Sequence, residues 1–431
     1  MKPTLTIRNA VIYQGNNLEV LPTLPDNSVD SIVCDPPYEL GFMGKSWDSS
    51  GIAYSVELWR ECLRVLKPGG HLLAFGGTRT WHRLAVAIED AGFEIRDNIA
   101  WLYGSGFPKS HNISKAIDKA AGTLKVVGKG HAGKTALGQS SGYNHTNNPH
   151  EYDLTEPNSP DAKAWDGWGT ALKPAHEPIV VARKPVIGTV AQNVLEHGVG
   201  GLNIDATRIQ GEIQSVPQPT LGVKERIVYG FGTGEGRNGE MSNNTQGRWP
   251  ANIILDEYTA QLLDEQSGLV KGAVGMKKHT NFTFHIGEHE GQRFTQGKSD
   301  IGGASRFFYV AKASKKDRNE GLDELPEVRH ADRNATDGVG GDNPRNRTNQ
   351  AKQNFHPTVK PTALMQYLIR LVTPANGVVL DPFAGSGSTG KAAILENKHF
   401  IGIELTAEYL PIIEGRLTHA YETLDSKEDL F

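Results

Sequence analysis

The sequence predicts an α/β protein: a doubly wound, mostly parallel sheet with a large irregular insertion. Three observations carry this. Short apolar runs alternate with helical periodicity near both ends of the chain, the rhythm of βαβ units. Two of those runs stop abruptly in loop-forming residues, "DPPY" at 35–38 and "FAGSG" at 383–387. Between them the periodicity is lost in long stretches rich in Gly, Asn, Ser and Thr.

Taken in order, residues 30–35 read as a buried strand. Pro36 and Pro37 fix φ and remove two backbone donors, so the sheet cannot continue through them. Residues 54–66 (YSVELWRECLRVL) set Leu58, Cys62, Leu63 and Leu66 at helical spacing, and Lys67-Pro68-Gly69-Gly70 is expected to follow as a stop. A strand at 71–75, a helix at 80–91 closed by Gly92 and a strand at 94–102 complete the first alternation. Residues 131–169, 230–246 and 330–353 are expected to be loops or segments that order on binding. Short apolar pieces lie between them at 179–182, 251–255 and 306–312. Alternation then returns: a helix at 361–372, a strand at 377–381, a helix at 389–396, a strand at 399–404 and a helix at 407–419. The expected division is 1–184 for one half of the α/β domain, with a loop insertion at about 130–170. An inserted region follows at 185–355, and 356–431 forms the second half.

Composition describes an ordinary soluble protein, 38% hydrophobic and 22% charged, and its 49 glycines fit long loops. Two cysteines, Cys34 and Cys62, build neither a disulfide framework nor a zinc site. The N-terminus has no apolar signal region and no segment is long enough to span a membrane, so a cytoplasmic location is expected. A net charge of −4 argues against a globally basic nucleic-acid binder. The charge is uneven, however. Residues 106–134 hold six lysines against one acid, and 271–352 hold 15 Lys and Arg against 11 acids. Such stripes suit a protein that meets a polyanion along one face, or form a solvated mixed surface.

The two loops point to chemistry. A carboxylate, Asp35, and a ring, Tyr38, sit on a stiff loop at a strand's C-terminal end, where open α/β sheets bind ligands. The second stretch, "VVLDPFAGSGSTGKAA", runs from a strand into Asp381, through Gly385-Ser386-Gly387, and into a helix. That turn lets backbone approach a ligand closely beside a helix N-terminus. The triphosphate motif GxxxxGK[ST] is absent here. Asp381-Pro382-Phe383 also crowds the side on which a dinucleotide's pyrophosphate would lie. One strand later the apolar run 399–403 ends in Glu404, placed to accept from ribose hydroxyls.

With these motifs the chain resembles the S-adenosylmethionine-dependent DNA methyltransferases that modify exocyclic amines. "DPPY" precedes "FAGSG", the permuted order of that family's β group. "GFMGKSWD", "SGFPKSHNISKAIDKA", "LKPAHEPIVVARKP" and "SRFFYVAKASKKDRNEGL" look like methylases of phages and prophages. The resemblance covers 1–120 and 354–420. It implies a Rossmann-like methyltransferase fold and a catalytic motif of Asp35, Pro36, Pro37 and Tyr38. It implies cofactor contacts from Asp381, Phe383, Ala384, Gly385, Ser386, Gly387 and Glu404, with Asp35 beside them. In "HPTVKP", 356–361, it implies Thr358 and Lys360 as polar contacts near the methionine end. It puts Asn16 at the adenine, where the family usually has Asp. It leaves Glu39 without a role. It places target recognition between the two motifs, in 185–355. The partner implied is double-stranded DNA at the nucleoid, with a homodimer and a cognate restriction endonuclease left open.

The chemistry needs these residues. An exocyclic amine is a poor nucleophile because its lone pair is delocalised into the ring. Two acceptors, the Asp35 carboxylate and the Pro36 carbonyl, favour the pyramidal nitrogen, and the prolines keep them aimed. A base extruded from the stack needs a platform, and stacking on Tyr38 supplies about 1–3 kcal/mol. The aromatic faces of Phe383 and Tyr38 favour a cationic sulfonium. DPPY leans toward adenine N6, with cytosine N4, RNA or a protein amide as alternative acceptors and an inactive DNA-binding protein as the non-enzymatic one. His356 reads as structural rather than catalytic, and Phe282 and Phe284 as small-core residues rather than base wedges. Lys45 and Trp47 either close over the site or lie in a solvated loop.

Overall fold

The computed structural model describes residues 1–41, 46–104, 106, 110–132, 150–209, 247–271, 301–312, 316–327 and 353–428. Lys45, Lys109, Phe282, Phe284 and much of 185–355 lie outside the described residues, as does the side chain of Trp47.

The strands in chain order are β1 (Leu5–Ile7), β2 (Ala10–Gln14), β3 (Val29–Cys34), β4 (Leu66–Phe75), β5 (Glu94–Leu102), β6 (Lys125–Ala132) and β7 (His150–Glu156). They continue as β8 (His176–Arg183), β9 (Ile253–Asp256), β10 (Val270–Lys271), β11 (Ile301–Gly302), β12 (Tyr309–Ala311), β13 (Val378–Asp381) and β14 (His399–Glu404). The helices are α1 (Asn17–Val20), α2 (Val56–Val65), α3 (Trp81–Asp90), α4 (Ile113–Ala120) and α5 (Pro160–Ala164). Then come α6 (Val190–His197), α7 (Glu257–Ser267), α8 (Thr362–Val372), α9 (Ser388–Leu395) and α10 (Leu410–Glu428).

Ten strands form one sheet in the order β1-β2-β14-β13-β3-β4-β8-β5-β9-β12. From β2 to β4 every neighbouring pair is parallel. β1 and β8 join antiparallel to β2 and β4. The expected α/β class with a mostly parallel sheet is therefore what the chain forms. β3 is buried at every position, as a strand covered on both faces must be. Its Ile32 and Cys34 enter a core cluster with α1, α2 and α3, while Ser31 bonds Thr373 at the end of α8 at 2.7 Å. Alternate residues of a strand face opposite ways, so the two helix sets cover opposite faces. Asp30, also buried, takes a bond from Val378 N and one from Lys67 Nζ, stapling β3 to β13 and to β4.

Three expectations are corrected. Lys67-Pro68-Gly69-Gly70 ends α2 but does not form a loop: it is the first half of β4. Proline and glycine are tolerated there because the register shifts between Val29 and Ser31, a bulge, and Gly69 has φ of +79°. Within 131–169, residues His150–Glu156 pair antiparallel with Lys125–Ala132, and Ser159 caps α5. The final helix runs on to Glu428, past 419. The apolar pieces at 179–182, 251–255 and 306–312 supply β8, β9 and β12 of the main sheet.

The chain divides into two compact units, Met1–Ala100 with Pro178–Phe431, and Trp101–Glu177. The smaller unit holds the β6–β7 pair, α4 and α5. In it Asp118 accepts from Asn158 N and Ser159 N, joining α4 to the start of α5. Among the described residues no helix is long and apolar enough to cross a membrane.

Candidate active site

Five parallel strands end on one edge of the sheet, and four of them bring a residue singled out above to that edge. β2 ends before Gly15-Asn16, β14 ends in Glu404, β13 in Asp381, β3 before Asp35, and β4 before Gly76 and Gly77. The register of β13 on β3 pairs Val379 with Ser31 and Leu380 with Ile32. The acid–proline loop and the glycine turn thus leave neighbouring strands at the same level.

The acid–proline loop is held from below. Thr80 Oγ1 donates to the Tyr38 carbonyl at 2.8 Å, and Tyr38 lies over Gly77, where an added Cβ would come within 3.2 Å of the ring. Glu39, left above without a role, has φ of +52° and folds its carboxylate back on the chain. It accepts from Gly51 N at 2.8 Å and from Ala53 N and Ser50 Oγ at 3.3 Å. It anchors the far end of the loop that follows the motif.

The glycine turn is fixed by its acids. Asp381 is buried and accepts from Thr389 Oγ1 at 2.6 Å and Phe383 N at 2.9 Å. Burial, with Asp35 and Glu404 nearby, pushes its carboxyl up to about 7 against those hydrogen bonds. Glu404 accepts from Gly385 N and Thr406 N, both at 2.7 Å, and burial raises it too. Ala384 N donates to Ile403 O. Gly385 and Gly387 have φ of +54° and +73°, and a Cβ on Gly385 would lie 3.0 Å from His356 Nε2. Phe383 is half-buried and tilts against Trp59, with ring centroids 6.3 Å apart. Ser386 turns away from this surface: its hydroxyl and carbonyl both accept from Arg416 Nη1.

The motif at 356–361 crosses from one loop to the other. His356, against Gly385, donates from Nδ1 to Thr358 O at 2.6 Å, and burial drops its pKa to about 3, so the ring is neutral. Thr358 is exposed. Lys360 is buried, with Nζ 2.5 Å from Asp35 Oδ2 and 5.3 Å from the centre of the Tyr38 ring. Asp35 Oδ1 is buried and has no hydrogen-bond partner among the described residues. Asn16 is exposed, and its Oδ1 caps α1 through Leu18 N at 3.0 Å.

A charged cluster that no motif announces lies behind the turn. Asp317 takes Lys391 Nζ at 2.7 Å and Thr362 N at 2.7 Å, and Glu320 takes the same lysine at 2.8 Å. Burial opposes ionisation of Asp317, but Lys391 and Thr362 outweigh it and lower its pKa. Arg318 donates to the carbonyls of Asn354 and His356, so this cluster sets the 356–361 crossing. A signal was present: Arg416, fully buried, falls on the apolar stripe of α10 with Ile412, Ile413 and Leu417.

A family model described as DNA methylase matches residues 29–415, most of the chain. The chain belongs to the DNA methylase family. Its curated relatives match over shorter stretches. It is 45% identical over 76 residues to the DNA adenine methyltransferase YhdJ of Escherichia coli, 18% of this chain and 26% of that protein. It is 34% identical over 110 residues to the type II methyltransferase M.HpaI of Haemophilus parainfluenzae, 24% of this chain and 35% of the relative. The chain spans about a quarter of the length of the first such relatives it matches. Among solved structures, the PvuII DNA methyltransferase, titled cytosine-N4-specific, superposes at a TM-score of 0.42 with 14% identity. That match covers 98% of this chain and 95% of the other.

The site fits S-adenosylmethionine as methyl donor. A glycine turn beside a buried acid, an adjacent half-buried Phe383 and a buried, unpartnered carboxylate oxygen on Asp35 form a set of groups suited to a ribose-bearing cation.

Proposed function

We propose that the chain is a site-specific DNA methyltransferase of the β group, of phage or prophage type. In this reading it transfers a methyl group from S-adenosylmethionine to N6 of a flipped adenine in double-stranded DNA. The observation that carries this is the emergence of the two loops from adjacent parallel strands with Asp35 Oδ1 left as a buried acceptor without a partner among the described residues.

Bound at the glycine turn, S-adenosylmethionine would supply an electrophilic methyl on a cationic sulfur. The chain's own residues do the rest. Asp35 Oδ1 and the Pro36 carbonyl accept hydrogen bonds from the amine and draw its lone pair out of the ring. Tyr38, held by Thr80 and Gly77, offers the stacking face. Glu404 and Asn16 line the ribose and adenine side, and Lys360 and Thr358 the methionine side. Most of the rate gain is orientation of amine against methyl plus the fixed acceptors. Target recognition belongs to 185–355, with 1–184 and 356–431 as the halves of the catalytic domain.

The test is incubation of the full chain with duplex DNA and labelled donor, followed by mass spectrometry of the nucleosides. N6-methyladenine is expected, and Asp35→Ala should lower transfer at least about a hundredfold while donor binding persists. N4-methylcytosine as the product would move the acceptor to cytosine. Transfer by Asp35→Ala at the parent rate would overturn the mechanism.

A further inference from the structure

Lys360 was expected only as a contact to the cofactor's methionine end. Its surroundings give it a second task. The ammonium lies 2.5 Å from Asp35 Oδ2, with the two side chains 8% and 19% exposed. Two rings flank it, Tyr38 at 5.3 Å and Phe75 at 4.9 Å from their centres. Phe75 is fully buried at the end of β4. The backbone that carries Lys360 is fixed in turn. His356 is tied to Thr358 O, Arg318 holds the His356 carbonyl, and Thr362 is bound to Asp317. The lysine thus reaches Asp35 from a rigid support.

We infer that Lys360 is a positioning residue for the acceptor amine: by binding Oδ2 it fixes the Asp35 carboxylate so that Oδ1 alone faces the substrate nitrogen. This rests on the methyltransferase reading and adds to it. A carboxylate on a short side chain has two equivalent oxygens and rotates between them. A charge-assisted bond to one oxygen removes that freedom and sets the direction of the other. Oδ1 is the buried oxygen with no partner among the described residues, which is the state an incoming N–H donor requires. The rings beside Lys360 favour a cation there and exclude water that would compete for Oδ2. Asp35 then acts as a directed acceptor.

Lys360→Met and Lys360→Arg in the full chain separate this from a role in donor binding alone. Lys360→Met should lower kcat by about tenfold to a hundredfold at saturating donor and DNA, the scale of a misplaced catalytic group. Donor Kd, read by calorimetry without DNA, should change less than the rate. Lys360→Arg keeps the charge and should recover part of kcat. A third readout needs no activity: thermal unfolding of Lys360→Met, Asp35→Asn and the double variant, without donor. The pair predicts non-additive shifts in Tm, with the double variant closer to the parent than the sum of the singles. Additive Tm shifts, or a Lys360→Met variant with weaker donor binding but parent kcat at saturation, would overturn the inference. A parent chain that methylates no nucleic acid would instead remove the functional reading, and the Tm cycle would still report on the ion pair.

Discussion

Gly385 shows how narrow the tolerances of the turn are. Its φ of +54° is one that side chains rarely adopt, and a Cβ would press on the neutral His356 ring at 3.0 Å. Gly385→Ala therefore adds about 1–2 kcal/mol of backbone strain to a steric conflict. The expected outcome is a lower Tm and donor binding weakened at least about tenfold, measured by calorimetry. The glycine was legible in the sequence as part of a strand–turn–helix pattern. The His356 ring against it was not, because no spacing rule relates residues 29 positions apart. Glu39 was equally opaque. Its partners are backbone amides of residues 51 and 53, and a sequence does not say which amides a loop will turn toward a carboxylate.

At the scale of elements, most strands and helices around both motifs follow from apolar periodicity with bounds that agree to within a residue or two, but β1, β2 and α1 were not anticipated, β4 starts five residues earlier than expected and the final helix ends nine residues later. The exceptions have physical causes. At 67–70 a bulge absorbs the proline and glycines that would otherwise break a strand. At 150–156 a two-stranded pair has no apolar alternation in its sequence to announce it. Asp317 joins helices α8, α9 and α10 beyond their apolar packing, through Thr362 N, Lys391 and, at 3.8 Å, Arg416. Truncating a partner of a buried ion pair leaves the other charge uncompensated. Lys391→Met should therefore lower stability by roughly 3 kcal/mol, read from urea denaturation, and adding Asp317→Asn should restore part of it. The same loss should loosen the 356–361 crossing through Arg318 and weaken donor binding.

For the whole molecule, acid stability reports on the buried ring of His71 in β4. Burial, with Arg183 and Arg96 nearby, lowers its pKa to about 4 from 6.5. Because the folded value lies below the unfolded one, its contribution is full above pH 6.5 and is lost as pH falls toward 4. His71→Gln should therefore flatten the fall in stability across that window by about 1.4 kcal/mol per pH unit, measured from denaturation midpoints at pH 6.5 and 4.5. Burial raises Asp381 and Glu404, which act with the opposite sign, so the comparison is between variant and parent.

Asp425, three residues before the end of α10 at 428, grips Arg8 of the β1–β2 turn through two bonds, and Tyr421 accepts from Asn9 N. A short tether could splice those extremities. A fresh cut between Lys271 and Ile301 would then place the glycine turn ahead of the prolines. Neither would shift in space, since hydrogen bonds across the sheet, and not sequence succession, hold them side by side.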